Sequence, residues 1–171
     1  TYEWTLNGTT LGTSSTYMVD SADVDVEDEI ICTATVTDTD GESATSSDSV
    51  TIENTAPVLT GVVIDNTAPY ANSDIICSAT ASDADGDSIT IDYEWRINYS
   101  VVSPSDSLTL SPSIALVNDL VTCTVSITDQ WGGIDSLTAT ATIQNTPPTM
   151  SSVLVTPQGA EITDTLSCGA T

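Results

Sequence analysis

Apolar and polar residues alternate with a period of two along most of this chain, and no stretch spaces apolar residues as a helix would. Ile75, Cys77, Ala79 and Ala81 share one face, with Ile76, Ser78 and Thr80 on the other. Ile89, Ile91, Tyr93, Trp95 and Ile97 then face inward, with Thr90, Asp92, Glu94 and Arg96 outward. Val121, Cys123, Val125 and Ile127 alternate with Thr122, Thr124, Ser126 and Thr128, and Leu137, Ala139, Ala141 and Ile143 with Thr138, Thr140 and Thr142. Such runs predict half-buried strands whose threonine faces favour extended backbone while staying wet. Turn signals separate them: Asp83-Ala84-Asp85-Gly86-Asp87, Ser103-Pro104-Ser105, Ser111-Pro112-Ser113 and Trp131-Gly132-Gly133. The expected class is all-β, with short antiparallel strands packed as a two-sheet sandwich.

The pattern also repeats. A shift of 91 residues, without a gap, lays Tyr2-Glu3-Trp4 on Tyr93-Glu94-Trp95 and Cys32 on Cys123. It lays Asn54-Thr55-Ala56-Pro57 on Asn145-Thr146-Pro147-Pro148, and Cys77-Ser78-Ala79-Thr80 on Cys168-Gly169-Ala170-Thr171. A gapless period of this length predicts a tandem array. One complete repeat is expected over residues 58–148. Residues 1–57 are expected to form the C-terminal part of another (strands C to G), and residues 149–171 the N-terminal part of a third (strands A and B). The 171 residues then read as a window on a longer array. The short proline-bearing linkers at Pro57 and Pro147-Pro148 predict a semi-rigid connection.

Charge narrows the partners. One basic residue, Arg96, stands against 25 acidic ones, for a net charge of −24. Nucleic acid and anionic membrane surfaces both demand lysine and arginine, so neither is an expected partner. No stretch is long and apolar enough for a spanning helix, and membrane insertion is not expected. The acidity suits salty surroundings or a divalent cation as partner. Without histidine or lysine the chain has no ordinary general base near neutral pH and no Schiff-base amine, and enzymatic activity is not expected.

The order Cys77, Trp95, Cys123 matches an immunoglobulin-type sandwich, in which a cysteine on strand B bridges to one on strand F beside a tryptophan on strand C. With the Asn-Thr-x-Pro linkers, the Cys-x-Ala-Thr and Tyr-Glu-Trp motifs and Asp83-Ala84-Asp85-Gly86-Asp87, the chain resembles the immunoglobulin-like repeats of bacterial and archaeal surface proteins, including polycystic-kidney-disease-type and cadherin-like ones. Val121 departs from the antibody pattern, which has the tyrosine of a tyrosine corner there. The resemblance implies a Cys77–Cys123 disulfide and, through it, an oxidising, extracellular setting. Metal ligation by these thiols needs close pairs such as Cys-x-x-Cys, which are absent; buried free thiols are the other reading. Cys32 and Cys168 are left with partners outside the window or in a neighbouring subunit, by continuation into further identical repeats or by strand exchange between subunits.

Two loops carry alternate carboxylates around a glycine: Asp83-Ala84-Asp85-Gly86-Asp87 and Asp38-Thr39-Asp40-Gly41-Glu42. Such oxygens suit calcium, although the distal bidentate glutamate of a calcium loop is missing; building Asp-Gly turns is the competing reading. In the resembling fold the B–C and F–G loops share the pole where the preceding domain attaches. Asp83, Asp85 and Asp87 are therefore expected to meet Asp129 and the linker Glu53-Asn54, where calcium would stiffen the joint.

Asn7-Gly8-Thr9 and Asn98-Tyr99-Ser100 are glycosylation sequons at equivalent positions, making Asn7 and Asn98 candidate acceptors. Trp4 and Trp95 read as core. Trp131, in a loop, reads as a lid on the domain end, a contact with the neighbouring domain or a platform for a sugar. Arg96 is expected to pair with a cross-strand carboxylate. The functional expectation is a self-associating or repeat-continued extracellular filament or surface stalk. A carbohydrate- or ligand-binding adhesin repeat is the alternative, and a linker region of a secreted hydrolase a third.

Overall fold

A computed structural model describes residues 1–171. The chain is all-β, with thirteen strands and no helix, so no helix is long and apolar enough to cross a membrane. Strands β1 (Tyr2–Leu6), β2 (Thr9–Gly12), β3 (Glu29–Thr37) and β4 (Ser43–Thr51) form one antiparallel sheet, ordered β2-β1-β3-β4. Seven strands follow: β5 (Val58–Ile64), β6 (Asp74–Ser82), β7 (Thr90–Ile97), β8 (Ser100–Ser103), β9 (Ser107–Thr109), β10 (Leu120–Thr128) and β11 (Ile134–Thr142). They make a three-stranded sheet, β5-β6-β9, and a four-stranded sheet, β11-β10-β7-β8. Strands β12 (Val153–Thr156) and β13 (Ser167–Ala170) pair only with each other.

The three- and four-stranded sheets of residues 58–148 share one core. Leu59, Ile64, Ile75 and Leu108 come from one sheet; Trp95, Val121, Val125 and Ile127 come from the other. Strand β10 shows why: its odd residues are Val, Cys, Val and Ile, all buried, while its even residues after the exposed Leu120 are Thr and Ser. The Cys77–Cys123 disulfide joins β6 to β10 through this core, and Trp95 lies opposite Cys123 across β7 and β10. Closing a separation of 46 residues stabilises the folded state by about 4 kcal/mol in the chain-entropy account. Of 20 buried residues only Val24 and Ile30 lie outside 57–148, so the outer segments contribute almost no core of their own.

Pairing registers coincide when 91 is subtracted. Trp95↔Cys123 corresponds to Trp4↔Cys32, and Cys123↔Ala139 to Cys32↔Asp48. Ile64↔Cys77 corresponds to Val155↔Cys168. Left-handed backbone recurs at the same interval, at Asn7 and Asn98, Gly8 and Tyr99, Glu27 and Asn118, and Gly41 and Gly132.

Three sequence-based details change. Ile91, near the start of β7, and Leu137, on the edge strand β11, are exposed rather than inward, because alternation continues past the area the opposing sheet covers. Arg96 pairs with Glu94, two residues earlier on the same strand, at 2.6 Å, and not across strands. Side chains two apart on a strand share a face, which brings Glu94 within reach.

Candidate cation site at the linker

Strand β10 ends in a turn built around Asp129. Its Oδ1 accepts the backbone N–H of Trp131 and of Gly133, both at 2.8 Å. The loop after β6 uses the same device, with Asp83 Oδ1 accepting from Asp85 N (2.9 Å) and Asp87 N (3.3 Å). An aspartate that captures the N–H groups two and four residues on bends the chain tightly and leaves its second oxygen free to aim elsewhere.

Both turns meet the linker. Asn54 Nδ2 donates to Asp129 Oδ2 at 2.9 Å, and Thr55 N donates to Asp85 Oδ2 at 2.6 Å. Gly133 permits the close approach, since a Cβ there would fall 2.8 Å from Ala56 Cα. Gln130 Nε2 donates to Asp87 Oδ1 at 2.7 Å, tying the two loops together.

Carboxylate oxygens of Asp83, Asp85 and Asp87 lie within 4.8 Å of one another. Asp83 Oδ2, Asp87 Oδ2 and Asn54 Oδ1 are buried and accept no hydrogen bond. Buried acceptors without donors are costly, and an oxygen-only set of this kind suits a hard cation. No lysine, histidine or second arginine exists to neutralise them, and Arg96 is bonded to Glu94.

Asp129 stands apart from that trio because each of its oxygens already holds a donor. The Asn54 amide, more than anything else, holds its carboxyl below the usual carboxylate range. Burial pushes the other way, and the N–H groups of Gly133, Trp131 and Gly132 assist the lowering. Glu53 is exposed and makes no hydrogen bond to the loops; its neighbour Asn54 reaches them instead. The recurrence of Asn at the head of both Asn-Thr-x-Pro linkers, Asn54 and Asn145, was the sequence signal for that role.

The remaining candidates lie elsewhere. Asn7 and Asn98 occupy two-residue hairpin turns, β1–β2 and β7–β8. Asn98 Nδ2 donates to Asp119 Oδ1 at 2.6 Å, while the Asn7 side chain makes no hydrogen bond. Trp131 is exposed beside the linker loops, with 42% of the residue accessible. Cys32 is half-buried and Cys168 exposed, both as free thiols. No protein-family model matches this sequence, and a search of curated proteins finds no match.

Proposed function

We propose that this chain is a structural segment of an extracellular filament or surface stalk, built from 91-residue immunoglobulin-like sandwiches joined end to end. The observation that carries the reading is the joint: linker residues 54–56 are gripped by two loops at one pole of the 58–148 sandwich, through Asn54–Asp129 and Thr55–Asp85. A linker fastened at several points transmits orientation from one unit to the next, which a load-bearing rod needs and a solitary binding domain does not. Registers that coincide at a shift of 91 support the tandem reading, and the Cys77–Cys123 bridge supports an oxidising exterior.

Calcium fits the joint. Asp83 Oδ2, Asp87 Oδ2 and Asn54 Oδ1, with Asp85 beside them, are the residues that would hold it, and Asp129 clamps the linker next to them. Bound there, the ion would neutralise crowded carboxylates and fix the angle between units. Asn7, free of side-chain hydrogen bonds, is the better of the two glycan acceptors, since Asn98 must give up Asp119 first.

Electron microscopy of the native particle tests the proposal. Linear particles beaded about every 40 Å fit one sandwich per step, from strand length plus linker. Isolated globules under all salt and calcium conditions would remove the filament reading.

A further inference from the structure

Away from the linker, the β7–β8 turn and the start of β10 enclose a cavity of about 250 Å³ lined by Arg96, Asn98, Tyr99, Leu120 and Thr122. Arg96 lies opposite Thr122 across β7 and β10, and side chains two apart on a strand share a face. Asn98 and Leu120 therefore extend the same patch, on the outer face of the four-stranded sheet. Arg96 Nε donates to Glu94 at 2.6 Å and Nη1 to the Tyr99 carbonyl at 3.0 Å, which leaves Nη2 free to donate. The Thr122 hydroxyl makes no hydrogen bond within the protein, and Leu120 supplies an apolar wall.

Tyr99 is 88% exposed at the rim of this cavity, with its backbone at φ 74°. That conformation is costly for a residue with a side chain, and the ring packs on almost nothing in return. The turn is nonetheless fastened in this shape. Asn98 N donates to Leu120 O, Asn98 Oδ1 accepts from Leu120 N, and Asn98 Nδ2 donates to Asp119 Oδ1. The first sheet makes the same turn with Gly8, at φ 80°, where the conformation costs little. The turn therefore has no need of a ring, and an aromatic side chain held outward on strained backbone marks a position that faces a ligand.

We propose that Tyr99, Arg96 and Thr122 form a binding site for an uncharged terminal sugar of a glycan. The C–H face of the sugar stacks on the Tyr99 ring, while its hydroxyls accept from Arg96 Nη2 and exchange hydrogen bonds with Thr122 Oγ1. Charge selects the neutral class. Glu94 already compensates Arg96, and the chain carries a net charge of −24, so an acidic sugar or a nucleotide is repelled. Size selects a single ring, because the cavity is smaller than the roughly 300–1,000 Å³ of pockets that enclose larger ligands. A peptide strand has no place to pair here, since β8 already occupies the edge of β7.

The site stays open within an array, and for this point alone the proposal rests on the tandem reading above. At the joint inside this chain, the hydrogen bonds to residues 58–148 come from linker residues Asn54 and Thr55, not from the β1–β2 turn. A Cβ built at Gly8, the counterpart of Tyr99, would meet nothing within 4 Å. A repeat that follows Pro147-Pro148 in the same way leaves Tyr99 clear. The first repeat carries Thr5, Gly8, Glu29 and Ile31 in place of Arg96, Tyr99, Leu120 and Thr122, so it lacks the ring, the guanidinium and the apolar wall.

The test titrates the 171-residue chain, with Asn98 shown to be unmodified by intact mass, and follows its amide shifts by NMR. The probes are the methyl glycosides of glucose, galactose, mannose and N-acetylglucosamine, with methyl glucuronide as the charged comparison. At millimolar concentration at least one of the neutral glycosides is expected to shift amides of residues 96–100 and 120–122, saturating as a single site, with the glucuronide binding more weakly. Tyr99→Phe keeps the ring and the shifts. Tyr99→Gly unfolds at higher denaturant concentration than the wild type yet loses the shifts, which separates a lost platform from a lost fold. No shift with any neutral glycoside, shifts centred on Trp131 instead, tighter binding of the glucuronide, or undiminished binding by Tyr99→Gly would overturn the site. Each of those results leaves the filament reading standing.

Discussion

Asn54 gives its side-chain amide to Asp129 across 75 residues of sequence, at 2.9 Å, and so pins the linker to the turn after β10. Asn54→Ala removes the donor and leaves a buried carboxylate oxygen without a partner. The expected outcome is a melting temperature lower by a few degrees and faster backbone motion at residues 53–56, read by amide relaxation. Unchanged relaxation in the variant would mean that the linker is held by something else.

Asp129 also sets a pH dependence. Its carboxyl is held below the ordinary value, so its contribution to stability is complete above about pH 4 and is lost as pH falls through the folded-state value. In Asp129→Asn the corresponding dependence disappears. Melting temperatures of both proteins, followed from about pH 6 to pH 3 with chelator present, should converge on the acid side. A constant gap over that range contradicts the assignment.

Calcium should bind where three buried oxygens lack donors. At ~100 times its dissociation constant it would add about 2.7 kcal/mol of stability. Calorimetric titration of the wild-type chain should show binding, and the paired substitution Asp83→Asn with Asp87→Asn should abolish it while leaving the Cys77–Cys123 bond formed. A wild-type melting curve indifferent to both calcium and chelator takes the ion out of the account.

Tyr99 sits at φ 74°, a left-handed conformation costly for a side-chain-bearing residue, in the turn where Gly8 stands at φ 80° in the first sheet. Tyr99 is largely exposed, so little packing is lost on removing it. Tyr99→Gly is expected to stabilise the chain by about 1 kcal/mol in denaturant unfolding, and a destabilised variant would show that the ring has a contact the turn depends on.

Alternation made β10 readable before any coordinates, because a strand buried on one face must place Val121, Cys123, Val125 and Ile127 at every second position. The approach of the Asp83, Asp85 and Asp87 loop to the linker followed from the resemblance, in which the B–C and F–G loops share the pole where the preceding domain attaches; the Asp-Gly pattern by itself indicated only a turn. Strand β9 was not legible. It is three residues long and owes its pairing with Asp74–Ile76 of β6 to the sheet beside it, in a serine-rich stretch without a pattern of its own. The choice of Asn54 over Glu53 depends on the side-chain direction at a linker, which no periodicity governs. Glu94 as the partner of Arg96 reflects a same-strand option that competes with cross-strand pairing at every exposed position.

All of this depends on residues 58–148 being one self-sufficient folding unit, and calorimetry on that segment alone is the most direct measurement. With nearly the whole buried core and the Cys77–Cys123 bond inside it, the segment is expected to unfold in one reversible transition with equal calorimetric and van't Hoff enthalpies. A segment that shows no cooperative transition with its disulfide formed would contradict the account.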